Sequence, residues 1–480
     1  MRHVHLIGIG GSGLSAIARL LLERGVLVSG SDRQPSATTE ALQAAGARVS
    51  IGHRAENIRG ADVVVRSSAV PDGNVEVQAA LDKGLPVLKR VEFLGRLVDG
   101  YQVIAVAGTH GKTTTTAMIS AMLASLGQDP SFIIGGMSFD LSTNAHSSKG
   151  RLFVIEADEY DRMFLGLNPD LAVVTNIEHD HPDCYPTPED FYLAFRDFAN
   201  RVKPAGMLLV CLDDPGSRRL LEEVQATGKP VLSYGMNHWL DHEGPDYTGR
   251  SLEPNQVGGF SFEALRRSPQ GLQSLSRITL QVPGRHNASN ALAALAVADQ
   301  LSLPPGEAAR ALSAYHGVGR RFEVRGEIDG ITVIDDYAHH PSEIRATLAA
   351  ARVHYPGRTI WAVWQPHTYS RSRALFNEFA ASFGDADHVL VTEIYAARET
   401  PPADGFSSRQ LVDAIQRVHA HVLPVAKPNQ AVEMLLGSLR RGDVLLVLSA
   451  GDADQISGLL LKSLGRRDQS FVGPSGSRSE

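Results

Sequence analysis

Glycines, a lysine and threonines fall together at Gly108-Thr109-His110-Gly111-Lys112-Thr113-Thr114, after an apolar run at residues 101–107 and before a helix-like stretch at 115–126. A loop of this composition wraps phosphates in backbone N–H groups, sets an ammonium against the β and γ oxygens and offers a hydroxyl to Mg2+. Val106 stands where the general phosphate loop has its first glycine. A solvated threonine-rich turn would explain each residue singly, but strand, glycine, Lys-Thr and helix arrive in the order phosphate binding needs.

Two further apolar runs end in acids and histidines. Residues 152–155 lead into Glu156-Ala157-Asp158-Glu159, and 171–175 into Asn176-Ile177-Glu178-His179-Asp180-His181. Parallel sheets bind ligands beyond the carboxyl ends of their strands, where these groups fall, and Mg2+ takes few protein oxygens besides water and phosphate. Glu156 is therefore a candidate metal ligand. At the amino terminus, the strand-like residues 3–7 precede Gly8-Ile9-Gly10-Gly11-Ser12-Gly13 and a helical stretch at 14–23. Glycines so spaced permit a tight turn against a pyrophosphate at a helix start, and Asp32 follows the next strand where a ribose-binding acid would sit. The same glycines could serve a tight turn alone.

Positioning these loops requires strands alternating with helices. Length, 480 residues, suggests about three domains of ~150 residues each. Further strands are expected at 26–30, 61–65, 331–334, 359–364, 388–391 and 444–448, so the fold class is α/β, with a Rossmann-like unit at each end and a phosphate-loop unit with a parallel-rich sheet between. Boundaries are expected near residues 100 and 317, giving 1–99, 100–316 and 317–480. A glycine-, proline- and charge-rich interval at about 237–271 reads as a loop insertion or irregular strands, and the tail 473–480 as disordered. With 43% hydrophobic and 21% charged residues the chain is an ordinary globular one, and a net charge of −7 gives no general reason to bind nucleic acid. Its two cysteines favour a reducing cytoplasm, and neither a signal peptide nor an apolar run long enough to span a bilayer is expected.

Together with Gly284-Arg285-His286-Asn287-Ala288-Ser289-Asn290, Gly319-Arg320-Arg321-Phe322-Glu323 and Asp335-Asp336-Tyr337-Ala338-His339-His340-Pro341, these motifs resemble the Mur ligase family over essentially the whole chain. The resemblance implies ATP-dependent ligation of L-alanine to the carboxylate of UDP-N-acetylmuramate through an acyl phosphate, in peptidoglycan precursor synthesis, with ATP as co-substrate and Mg2+ as cofactor. It implies ATP contacts from Gly108 to Thr114 and from Asn287, Asn290, Arg321 and Asp336. Thr113, Glu156 and His181 are the implied metal ligands, with His179 competing for the last place. Gly8, Gly10, Gly11, Ser12, Gly13, Asp32, His53 and Ser67 are assigned to the UDP-sugar. His340, His367 and Arg371 are assigned to the amino acid, where a guanidinium suits a carboxylate. Lys112, Glu156, His181, His340 and Arg371 form the implied catalytic set. Several sister ligases carry a carbamylated lysine after the His181 region, whereas residues 191–198 here hold no lysine. A monomer or weak homodimer is expected. The alternatives are a relative that adds a recycled tripeptide, a nicotinamide-dependent oxidoreductase built on the Gly8 turn, and a nucleotide sensor without acyl transfer.

Overall fold

A computed structural model describes residues 2–236 and 244–471; the interval 237–243 and the tail 473–480 lie outside the described residues. Three sheets follow one another along the chain. The first is wholly parallel, with β1 (His3–Ile7), β2 (Leu27–Asp32), β3 (Arg48–Ile51), β4 (Val63–Arg66) and β5 (Val87–Lys89) ordered β3-β2-β1-β4-β5. Every residue of β1 is buried, as a central strand covered on both faces must be. The strand order reverses beside β1, which leaves a crevice beyond its carboxyl end, and there the Gly8 turn begins.

The second sheet has ten strands: β6 (Gln102–Ala107), β7 (Ser131–Ser138), β8 (Thr143–His146), β9 (Leu152–Glu156), β10 (Leu171–Val174), β11 (Met207–Cys211), β12 (Val231–Gly235), β13 (Tyr247–Pro254), β14 (Phe260–Ser268) and β15 (Gly271–Thr279). Strand β6 lies between β9 and β10, both parallel to it, with Val106 opposite Glu156 and Ala107 opposite Val174. This register brings the phosphate loop, the acidic turn and the histidine turn to one edge.

Of the two readings of the interval at about 237–271, the described part, from residue 244, follows the second: it is strands with local irregularities and no loop insertion. β13, β14 and β15 form an antiparallel extension of the sheet. Register shifts between Arg250 and Glu253 and between Ala264 and Leu265 break the two-residue period on which a strand reading depends. Phe260, Phe262 and Ala264 are buried in one core with the helix Arg285–Gln300, and Leu265 is buried as well.

The third sheet comprises β16 (Glu323–Ile328), β17 (Ile331–Asp336), β18 (Ile360–Trp364), β19 (His388–Thr392), β20 (Val422–Val425) and β21 (Val444–Leu448), ordered β16-β17-β21-β18-β19-β20. Only β16 is antiparallel to its neighbour. Helices begin earlier than the hydrophobic pattern implies, at Ser12 and Lys112, because the polar residues of both loops themselves form the first helical turn. Among the described residues no helix is long and apolar enough to cross a membrane.

Candidate functional site

Gly108 (φ +142°) and Gly111 (φ +79°) adopt backbone that side-chain-bearing residues avoid, and a Cβ on Gly108 would lie 1.9 Å from Thr175 Oγ1. The tight loop that results sets Lys112 at the first position of the helix Lys112–Ser125. Its ammonium donates to the carbonyls of Gly108 (2.5 Å) and Thr109 (3.0 Å) and to Glu159 (2.9 Å). Thr113 donates to Glu156 Oε1 at 3.0 Å, while Gly135 N–H donates to Oε2 at 2.6 Å. Burial raises the Glu156 carboxyl above its usual range, against the opposing pull of Lys112. Thr109 and His110 are pinned to the histidine turn, through Thr109 Oγ1 to the Glu178 carbonyl (2.8 Å) and His110 N–H to Asn176 Oδ1 (2.9 Å), and Thr114 is half-buried at the third position of the helix.

The two competing histidines part company in space. His179 bonds the Tyr185 carbonyl at 2.9 Å and packs edge-on against Phe191. His181, at φ +55°, brings Nε2 within 3.4 Å of Glu159 and faces the phosphate loop's lysine partner. Asp180 between them makes a fully buried pair with Arg371 of the third unit, Nε to Oδ1 at 2.7 Å. Arg371 also contacts His367 Nδ1 (2.9 Å) and His181 Nδ1 (3.4 Å). Burial pushes the His367 imidazole down to about 4, and the neighbouring Arg371 charge adds to the effect.

A second seam joins the units at Glu343, in the first turn of the helix Pro341–His354. Its carboxylate accepts from the backbone N–H groups of His339 (3.0 Å) and His340 (3.3 Å), meets His110 Nδ1 at 3.2 Å and lies 3.7 Å from Arg321. His110 Nε2 meets Glu178 at 3.0 Å. Burial disfavours its charge, yet the two carboxylates outweigh burial and hold the imidazole up at about 9. The donor atoms of His110, Glu178 and His340 lie within 4.8 Å of one another, as metal ligands could, and His110 Nε2 and Glu178 are at ion-pair distance. His340 is buried, caps its helix through Nδ1 and leaves Nε2 without a hydrogen-bond partner.

Asn290 lies beside Gly111, whose Cβ would come 2.8 Å from its Oδ1, and donates to Asn287 at 3.1 Å. Asp336 spends one carboxylate oxygen on its own loop and one on the segment before β16, accepting from Ala338 and Phe322 N–H at 2.8 Å each, and burial raises it to about 6. At the first sheet, Asp32 likewise accepts from Gly10 N–H (2.8 Å) and Arg33 N–H (2.7 Å). Gly11 caps the helix that begins at Ser12. Ser67 packs against Gly8, where a Cβ would lie 3.2 Å from the serine Cβ, and His53 contacts Ser31 at 3.0 Å. A Cβ on Gly13 would fall 1.4 Å from Arg90 Nη1, so that guanidinium covers the glycine turn; it reaches Asp158 at 3.1 Å and links the first crevice to the second.

Sequence reasoning passed over Glu159, Glu178, Asp180 and Glu343 as site residues, and Arg90 altogether. Glu343 follows His340 by three residues, the spacing of an ordinary helix-capping acid, which conceals its second partner across the cleft.

A phosphate loop facing an acid-and-histidine shell, closed by a third unit carrying a buried arginine, defines a three-part nucleotide-dependent enzyme. Residues 3–102 match the Mur ligase family catalytic domain, 106–298 the Mur ligase middle domain and 320–451 the Mur ligase glutamate ligase domain. The chain belongs to the Mur ligase family. Its relatives include a "UDP-N-acetylmuramate--L-alanine ligase" of Roseiflexus sp. (strain RS-1), 43% identical over 96% of this chain and 99% of that one. One of the same name from Sorangium cellulosum is 44% identical over 95% and 94%. Among solved structures, a UDP-N-acetylmuramate-alanine ligase from Thermotoga maritima aligns with TM-score 0.79 and 27% identity, covering 98% of this chain and 99% of that one. A murein peptide ligase from Psychrobacter arcticus aligns with TM-score 0.70 and 26% identity, covering 97% and 99%.

Proposed function

We infer that this protein joins L-alanine to the carboxylate of UDP-N-acetylmuramate at the expense of ATP, in peptidoglycan precursor synthesis. The observation that carries the reading is the meeting of Lys112, Glu159, His181 and Arg371 in one cleft between the phosphate loop and the third unit. A carboxylate is a poor electrophile, so attack by an amine in water needs prior activation, which phosphoryl transfer from ATP supplies. That step is chiefly positioning and charge neutralisation, the task of the loop amides, Lys112 and Arg321. Divalent magnesium fits the oxygen donors of Thr113 and Glu156 and would neutralise the phosphate oxygens, with His181, a nitrogen donor beside Glu159, as the third ligand the family resemblance implies. Arg371 beside His367 then offers the alanine carboxylate a guanidinium, and the first sheet's crevice takes the UDP-sugar on the Gly8 turn. In this division residues 1–99 hold nucleotide-sugar, 100–316 ATP and 317–480 the amino acid. The higher similarity to alanine-adding relatives than to the murein peptide ligase favours the single amino acid.

The test is phosphate release from ATP with Mg2+ and UDP-N-acetylmuramate. Free L-alanine stimulates it under this reading; a response confined to the recycled tripeptide refutes it.

A further inference from the structure

Lys112 has three ammonium N–H groups, and all are spent, on two carbonyls of its own loop and on Glu159. Glu159 is almost fully buried, its side chain 2% exposed, and its oxygens stand 2.8 Å from Lys112 and 3.4 Å from His181 Nε2. Its backbone is fastened as well, since Tyr185 Oη and Arg162 N–H both donate to its carbonyl. A carboxylate is therefore built into the place where the loop's lysine would meet the β and γ phosphates, and an incoming triphosphate carries the same sign of charge.

The two anions cannot share one lysine cheaply. When a triphosphate draws the ammonium away, Glu159 keeps the His181 imidazole beside it but no lysine, and a buried carboxylate left without its cation is strongly destabilised. A divalent cation arriving with the nucleotide restores the balance, and an oxygen donor beside an imidazole is a donor pair that Mg2+ or Mn2+ accepts. We propose that Glu159 is an exchangeable counter-ion: it holds Lys112 until a triphosphate claims the lysine, and then, with His181, ligates a divalent cation. Glu156, already engaged by Thr113 and Gly135 N–H, does not take part in the exchange. The consequence is that nucleotide and metal each favour the binding of the other. The inference rests on the ATP-dependent reading above and adds to it the residue that couples the two ligands.

The test uses the full chain, a non-hydrolysable ATP analogue and Mn2+. In EDTA, Glu159→Gln frees the lysine, so the analogue binds about tenfold tighter than to the parent protein, because the competent state no longer has to be released from an internal partner. In Mn2+ the advantage disappears, and paramagnetic resonance shows the analogue-loaded variant holding Mn2+ at least about tenfold more weakly. Glu159→Asp, which keeps the charge on a shorter arm, binds the analogue more tightly in EDTA but retains Mn2+, and it carries the test if the glutamine variant folds poorly by circular dichroism. Unchanged analogue affinity in EDTA for either variant, or parental Mn2+ affinity in Glu159→Gln, overturns the exchange while leaving ligase function standing. Failure of the parent protein to bind the analogue under any condition overturns both.

Discussion

Two buried charges shape the site at the scale of single residues. Arg371 and Asp180 are only 3% and 5% exposed and are 191 positions apart. Removing one partner strands the other, so Arg371→Leu should cost about 3–5 kcal/mol of stability, measured by urea denaturation. His110 predicts a pH dependence. Its folded value of about 9 exceeds the ordinary 6.5, so its stabilising effect is complete below about 6.5 and lost as pH rises through 9. Glu178 and Glu343 stabilise the charge against the opposing effect of burial, with the His340 ring packed alongside. Denaturant titrations at pH 6.5 and 9 should show the stability gap between the parent and His110→Gln narrowing with pH; a constant gap would contradict the assigned charge. Lys112→Ala should lower kcat by about 10²–10³-fold or more while leaving UDP-sugar affinity nearly intact, because the sites proposed for the two ligands lie on different sheets. Equal loss of both in a calorimetric titration would refute that separation.

Elements place these residues by register. β6 sits between β9 and β10, so three loops distant in sequence share one edge, and the glycine positions then decide how close they come. Gly13 is the sharpest case, since any Cβ there would occupy the position of the Arg90 guanidinium. Gly13→Ala should therefore expel Arg90 from the helix start and weaken UDP-sugar binding by about 10-fold, on the order of a lost charge-assisted contact, with ATP-analogue binding unchanged in the same calorimeter. Strands were legible where apolar runs are continuous, as in β1, β6 and β21, because burial on both faces leaves no polar alternation to interrupt them. The antiparallel β13, β14 and β15 were not, because their bulges shift the alternation between faces partway along each pair.

For the whole molecule, the contacts by which the third unit closes on the second include Arg371 with Asp180, Glu343 with His110, Ser342 Oγ with Glu178 at 2.7 Å, and His354 Nδ1 with the Gly258 carbonyl at 2.7 Å. The last connects the tip of the antiparallel extension to the end of the helix Pro341–His354, so a segment that read as a loop insertion or irregular strands spans the cleft. Ligands that bind this arrangement stabilise it by mass action. UDP-N-acetylmuramate at a hundredfold excess over its Kd should add about 2.7 kcal/mol and raise the melting temperature, whereas NAD should not. Protection by NAD alone would restore the oxidoreductase reading.

The order of motifs along the chain determined the family, the α/β class and the chemistry of the phosphate loop, because each of these rests on neighbouring residues: a strand, its turn and the helix after it. Tertiary structure alone decided which histidine, His179 or His181, stands beside the lysine's partner Glu159, that Asp32 braces the Gly8 turn and Asp336 the segment at Phe322, and that Glu159, Glu343 and Arg90 stand at the candidate site. A side chain's partner across a cleft depends on how sheets are stacked and closed, and that distance has no counterpart in sequence separation.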